Sequence, residues 1–270
     1  MPFPPLFIRN GVVEMYYDKS ASKREYFLFF YGNNTAGEEA QFTAPHCHDS
    51  YELMVVTRGE VHVVLNGEPR FVRAGEILFL DRYDIHSFTF ENCERYSLVF
   101  SGDFCRMLSA DGKTLQSYPS CDAESFQKIE AMLRSNYAIY GEAIPSSLLV
   151  ESLVTFVLGT IEVCCGKVER REHPNELMVE VLKYINENSK SELTLADVAV
   201  KFGYTPSYFS SLFNRLTQMN FNDYLNYVRY TKAVEIIQLQ GCTATNIAMK
   251  CGFGSMNTFY RAKNKFDKES

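Results

Sequence analysis

The sequence predicts an α+β protein of two domains: a β-rich front half that ends in helices, and an all-helical back half. Three observations carry this reading. Between about residues 25 and 100 the chain runs in short segments of β-branched and aromatic residues, "EYFLFFYG", "YELMVVTRG", "EVHVVLNG", "PRFVRAG", "EILFLD", "HSFTF" and "RYSLVF", punctuated by Gly, Asn and Asp. After about residue 122 the apolar spacing becomes that of helices. Residues 166–176, "GKVERREHPNE", are polar and charged and contain Gly and Pro, the composition of a domain boundary.

Strands at such short spacing point to a sandwich or barrel rather than a βαβ fold. Asn66-Gly67 tolerates positive φ and so reads as a two-residue hairpin turn. The segments "AESFQKIEAMLRSNYAIY" and "IPSSLLVESLVTFVLGTIEVCC" follow as helices. In the second, Val150, Val154, Val157 and Ile161 form one stripe, with Leu149, Leu153 and Phe156 beside it. So wide an apolar face must be covered, either by the β-domain or by a second copy of the chain. Further helices are expected at 176–188, 194–202, 206–217, 221–239, 244–251 and 255–266, with Pro206 placed where a first helical turn accepts it. The expected units are 1–121, 122–165, a linker at 166–176, and 177–270.

The 270 residues are 46% hydrophobic and 22% charged, enough for two modest cores. "MPFPPLFIRNG" has no basic segment ahead of an apolar stretch and does not read as a secretory signal. Glu151 and Glu162 interrupt the most apolar run, so no membrane span is expected. Eight cysteines without a CxxC pair read as reduced thiols, and the protein is expected to be cytoplasmic. A net charge of -6 argues against non-specific nucleic-acid binding, yet it is unevenly spread. Residues 191–270 carry nine Lys/Arg against six Asp/Glu, which leaves the first 190 residues strongly acidic and suggests different partners for the two halves.

The back half repeats an element. "LADVAVKFGYTPSYFSSLF" and "TNIAMKCGFGSMNTFYRAK" each place an Ala (Ala199, Ala248) four positions before a Gly (Gly203, Gly252). An aromatic follows (Tyr204, Phe253), then a second helix with a buried Phe (Phe209, Phe259). Ala lets two helices cross closely and Gly lets the chain turn between them, the construction of a helix-turn-helix. The intervening "FNDYLNYVRYTKAVEIIQLQ", as a helix of about 18 residues and about 27 Å, can hold two reading helices in major-groove faces about 34 Å apart.

These motifs, with "YVRYTKAVEIIQ", resemble the DNA-binding domain of AraC/XylS-type transcription regulators over about residues 176–267. The resemblance implies base-reading positions at Ser207, Ser210 and Ser211 on the first recognition helix and at Met256, Asn257, Tyr260 and Arg261 on the second. Arg reads guanine and Asn suits adenine, whereas Ser discriminates little, so specificity is expected to lean on the second helix. The tail departs from the family pattern: "RAKNKFDKES" puts Lys263 where a buried aromatic belongs, which leaves the second reading helix less firmly seated.

In the front half, "APHCHDSYELMVV" sets His46, His48 and Glu52 at equal parity, able to face one side of a strand while Cys47 faces the other. His86 can return beside them on a neighbouring strand. Three imidazoles and a carboxylate suit a divalent transition metal, and equally a ligand, or a cluster bonded only to itself. The order His46, His48, Glu52, Gly59, then Gly75 and His86, resembles the two motifs of cupin β-barrels, although Asp81, Tyr83 and Phe90 replace the second motif's Pro, Gly and Asn. Metal-dependent cupins include enzymes, so a metal-dependent cupin enzyme with a fused helical domain is the alternative. Regulators of the AraC type carry similar barrels as sensors, and the two helix-turn-helices favour that reading. The expectation is therefore a non-enzymatic regulator with a cupin-like effector-binding barrel. Its expected partners are double-stranded promoter DNA, a small-molecule effector such as a sugar or related metabolite, and a second copy of the chain.

Overall fold

The computed structural model describes residues 27–35, 41–105, 111–140, 147–170, 176–240 and 244–266. The amino-terminal segment, the second half of the expected linker and the last four residues lie outside that set.

Six strands form one antiparallel sheet: β1 (Phe27–Asn33), β2 (Gln41–His46), β3 (Tyr51–Leu65), β4 (Glu68–Arg73), β5 (Ile77–Leu80) and β6 (His86–Phe100). The sequence reads β3 and β6 as two strands each, and here the structure differs. Both run unbroken for 15 residues. Their pairing shifts register between Val56 and Glu60, where Gly59 has φ 69° and lies against Asn92, itself at φ 46°. The extra residue at each bulge changes which parity faces inward. On β3 the inner positions pass from Glu52, Met54 and Val56 to Val61, Val63 and Leu65, and on β6 from Phe88 and Phe90 to Cys93. A residue count of two therefore fails across the bulge, and the punctuation at Gly59 mimics a strand end. The two bent strands roll the sheet around an inner core of Met54, Val63, Val72, Leu80 and Phe90.

The outer face of one half, Tyr51, Leu53, Val55, Tyr96, Leu98 and Phe100, is covered by α1 (Ala123–Tyr140) and α2 (Ser147–Cys165). On α2, Val150, Leu153, Val154, Val157, Leu158 and Ile161 are buried. Contrary to the sequence expectation, α2 is long and apolar enough to cross a membrane by length and composition, since its two glutamates leave the run otherwise apolar. Its buried stripe is nonetheless committed to the sheet. The first part of the expected linker is also structured. β8 (Val168–Glu169) pairs with β7 (Lys113–Thr114), and Arg170 reaches Asp81 at 3.1 Å and Tyr51 Oη at 2.7 Å.

The back half contains α3 (Glu176–Asn188), α4 (Leu195–Lys201), α5 (Pro206–Thr217), α6 (Phe221–Gln240), α7 (Ala244–Lys250) and α8 (Met256–Phe266). Thr194 and Thr205 cap α4 and α5 by accepting from the backbone N–H groups of Asp197 and Tyr208, and Pro206 opens α5. One core gathers α3 to α6 around Phe209, Phe213 and Tyr224. A second gathers α6 to α8 around Phe253, Phe259 and Phe266.

Candidate effector site and nucleic-acid interface

Each histidine of the front cluster is placed by a strand end. His46 closes β2 and pairs with His86, which opens β6; His48 follows β2, and Glu52 stands on β3 opposite Leu80 and Val99. All four are buried. Ligating atoms of His46, His48 and His86 lie within 4.8 Å of one another. Their Nδ1 atoms are each engaged by a main-chain carbonyl: Ala44 at 2.8 Å, Ser50 at 3.0 Å and Asp84 at 2.8 Å respectively.

The Nε2 atoms of His48 and His86 face a carboxylate. His48 Nε2 and His86 Nε2 each lie 3.4 Å from Glu52 Oε2, and His86 Nε2 has no hydrogen-bond partner. Charge-assisted hydrogen bonds are shorter, about 2.7–2.9 Å. A tetrahedral metal with ligand distances of about 2.0–2.1 Å has ligand–ligand edges of about 3.3–3.4 Å. The two contacts to Glu52 match such an edge, and the three imidazoles, within 4.8 Å of one another, are a set able to hold a metal ion. Burial pushes Glu52 up, but His48 and His86 more than offset this and hold it below the usual carboxylate range. Burial, then the neighbouring His86 and His48, keep His46 well below its ordinary value.

Sequence spacing did not reveal Arg95. It sits on the inner face opposite Val56, almost fully buried, its guanidinium 3.4 Å over the Phe90 ring and 2.7 Å from Asn34 Oδ1. Gly32 opposite it leaves the room: a Cβ there would stand 2.5 Å from the guanidinium. Arg95 Nε and Ser97 Oγ, two residues along, are buried without hydrogen-bond partners. The signal in sequence is faint, an Arg and a Ser alternating with Tyr96 and Leu98 ahead of the apolar end of the strand.

In the back half, Gly203 and Gly252 adopt φ of 76° and 93°, and Ala199 and Ala248 are fully buried, so both repeats turn as helix-turn-helices. A Cβ on Gly252 would collide with Ser189 O at 2.7 Å, which ties the second turn to the end of α3. Ser207 and Ser211 on α5, and Asn257, Tyr260 and Arg261 on α8, are exposed. Ser210 is half-buried, Met256 packs partly against the second core, and Ser211 Oγ donates to Ser207 O at 3.2 Å. Tyr208, not anticipated, is exposed on α5 beside Tyr204. Several basic residues are occupied within the domain. Arg229 donates to Ser189 O and Ser191 O at 2.7 and 2.9 Å, Lys232 binds the same turn, and Lys265 pairs with Asp223 at 2.8 Å.

The expectation of a loosely seated second reading helix is overturned. Lys263 does stand at the expected aromatic position, but α8 continues to Phe266, whose buried ring meets Tyr227 edge-on at 5.0 Å. The aromatic seat is displaced along the helix, not lost.

A buried polar centre in a rolled sheet, joined to two helix-turn-helices on one long helix, defines a ligand-governed DNA-binding protein. Comparisons with known proteins agree. Residues 34–155 match the AraC-like ligand binding domain, and residues 192–270 match a helix-turn-helix domain. The HTH-type transcriptional activator RhaS of Klebsiella pneumoniae is 23% identical over 224 residues, covering 79% of this chain and 81% of the relative. The TetD protein of transposon Tn10 from Escherichia coli is 36% identical over 91 residues, 34% of this chain and 66% of that protein. A crystal structure of apo ToxT from Vibrio cholerae shares the fold at TM-score 0.52 and 12% identity, covering 93% of this chain and 95% of that one. The chain belongs to the AraC/XylS-type transcription regulators. The alternative, a metal-dependent enzyme with a fused helical domain, finds no support among these relatives.

Proposed function

We propose that this chain is a cytoplasmic, homodimeric regulator in which a small polar molecule bound within residues 1–121 controls DNA reading by residues 177–270, with 122–165 as the dimerising connection and 166–176 as the joint. The carrying observation is the pair of exposed reading surfaces on α5 and α8, held apart by α6, a helix of 20 residues and hence about 30 Å. Ser207, Ser210, Ser211, Met256, Asn257, Tyr260 and Arg261 are the proposed base readers, and activation of transcription is proposed by analogy with the relative named an activator. His46, His48, Glu52 and His86 are the proposed effector or metal centre. The unpartnered Arg95 Nε and Ser97 Oγ nearby favour a polar effector, such as a sugar or related metabolite, over an apolar one.

Arg261→Ala is expected to weaken retention of the chain's own promoter DNA by about 5- to 150-fold, the value of one bidentate guanine contact. A gel-shift or fluorescence-anisotropy titration reads it; an intact protein that retains no specific sequence from its genomic neighbourhood would refute the regulator reading.

Self-association is assigned to the outward face of α2, where Leu148 is 73% exposed and Val163 88%, with Phe156 between them and the small residues Ser152 and Gly159 on the same stripe. Leu148→Glu with Val163→Glu is expected to give monomers in sedimentation. A dimer that persists in the double variant would move the interface elsewhere.

A further inference from the structure

We propose that the histidine centre takes a divalent transition metal and that the DNA-binding domain reads its occupancy through Cys47 and Ile85. The inference rests on the regulator reading and adds to it a class of ligand and a route. Strand alternation puts the two functions back to back. His46 and His48 face Glu52 and His86, while the residue between them, Cys47, and the residue before His86, Ile85, are buried in the core that α3 to α6 build around Phe209 and Phe213. Cys47, 2% exposed among the apolar side chains of that core, serves there as an apolar plug, not as a ligand.

The loops that carry these residues also touch the helical domain. Tyr83, a non-glycine residue at φ 66°, donates its N–H to His48 O at 2.9 Å and lies 5.6 Å from Lys183 Nζ of α3. Asn66 accepts from Ile85 N at 2.9 Å and donates to Asp84 at 2.8 Å, tying the hairpin turn to the same loop. At Gly67 a Cβ would stand 2.3 Å from Arg215 O, and Gln218 donates to Gly67 O at 3.2 Å, so this turn abuts the end of the first reading helix. Glu52 Oε2 lies 3.4 Å from both His48 Nε2 and His86 Nε2, beside the three imidazoles. A metal held by His46, His48 and His86 bonds to the end of β2, the segment that follows it and the start of β6 at once, and so fixes the strand ends whose opposite faces hold the helical domain. The docked arrangement then binds metal more tightly than the undocked one, and by linkage metal favours docking.

The test uses tag-free, full-length protein and Co²⁺ as probe. The wild type is expected to bind one Co²⁺ with the visible d–d absorption of a tetrahedral site, and amide hydrogen exchange in α3 is expected to slow by about 5-fold or more. Ile85→Val and Cys47→Ala, which trim the plugs without emptying the core, are expected to keep the cobalt spectrum but lose most of the slowing at α3. Slowing equal to wild type in both variants would overturn the route, and a thiolate-to-cobalt charge-transfer band would overturn Cys47's part in it. Absence of cobalt binding in a wild type that still retains promoter DNA would overturn the metal and spare the regulator reading. A cobalt response at α3 in a chain that retains no promoter DNA would support the metal-coupled contact while sinking the regulator reading.

Discussion

Phe209→Ala is expected to cost about 3–5 kcal/mol and to unfold the first helix-turn-helix. The ring is fully buried, stacked on Tyr204 at 6.0 Å and close to Phe213 at 5.7 Å and Phe221 at 6.4 Å. Ala would leave a cavity walled by three aromatic rings that are themselves fixed by the turn before α5, by α5 and by α6, so little collapse can fill it. A domain of this size has about 5–15 kcal/mol in all, so the loss takes a large share of it. Because the same core receives Cys47 and Ile85, the damage should spread to the contact with the sheet. Urea unfolding followed by circular dichroism reads the shift, and an unchanged midpoint would show that this core does not hold the lobe.

Phe266→Ala is expected to cost a similar 3–5 kcal/mol, but locally. Its ring lies against Tyr227 at 5.0 Å and Tyr230 at 6.4 Å, both on α6, and seats α8 with its exposed Asn257, Tyr260 and Arg261. Promoter retention should fall at least as far as in Arg261→Ala, whereas amide protection of α3 to α5 should remain near wild type. The opposite pattern would mean that Lys263, not Phe266, marks the functional end of the helix. Tyr227 also accepts from Ala44 N at 3.4 Å and meets Phe42 edge-on at 6.1 Å, so a modest loosening of β2 should accompany the loss.

The back half was legible because its signals are local. Helix caps at Thr194 and Thr205, Pro206 at a first turn, and Ala-x-x-x-Gly at both turns act within a few residues of themselves, and helix boundaries followed from them to within a residue or two. The helix-turn-helix pair came from the same short-range rules, and its outward residues from the family resemblance those motifs carry. Among the proposed readers only Ser210 and Met256 are drawn partly inward, because each stands at the edge of its helix's buried stripe.

The front half was legible in class but not in connectivity. The strand punctuation at Gly59 and between Phe90 and Arg95 was real, yet it marks bulges within β3 and β6, and a bulge is defined by the partner strand opposite it. Arg95 and Gly32 were invisible for the same reason, since the room for the guanidinium comes from a residue 63 positions away. Phe266 likewise replaces an aromatic expected earlier in the helix, which only its meeting with Tyr227 makes plain.

By itself the sequence determined the two-domain α+β class, the paired helix-turn-helices and the shared parity of His46, His48 and Glu52, because periodicity and parity are properties of neighbouring residues; His86 joined them through strand pairing. Only the tertiary structure decided that these histidines share their strand ends with the seat of the DNA-binding domain. Which side of a strand meets solvent, ligand or another domain depends on what packs there, and that is fixed by contacts between residues far apart in the chain.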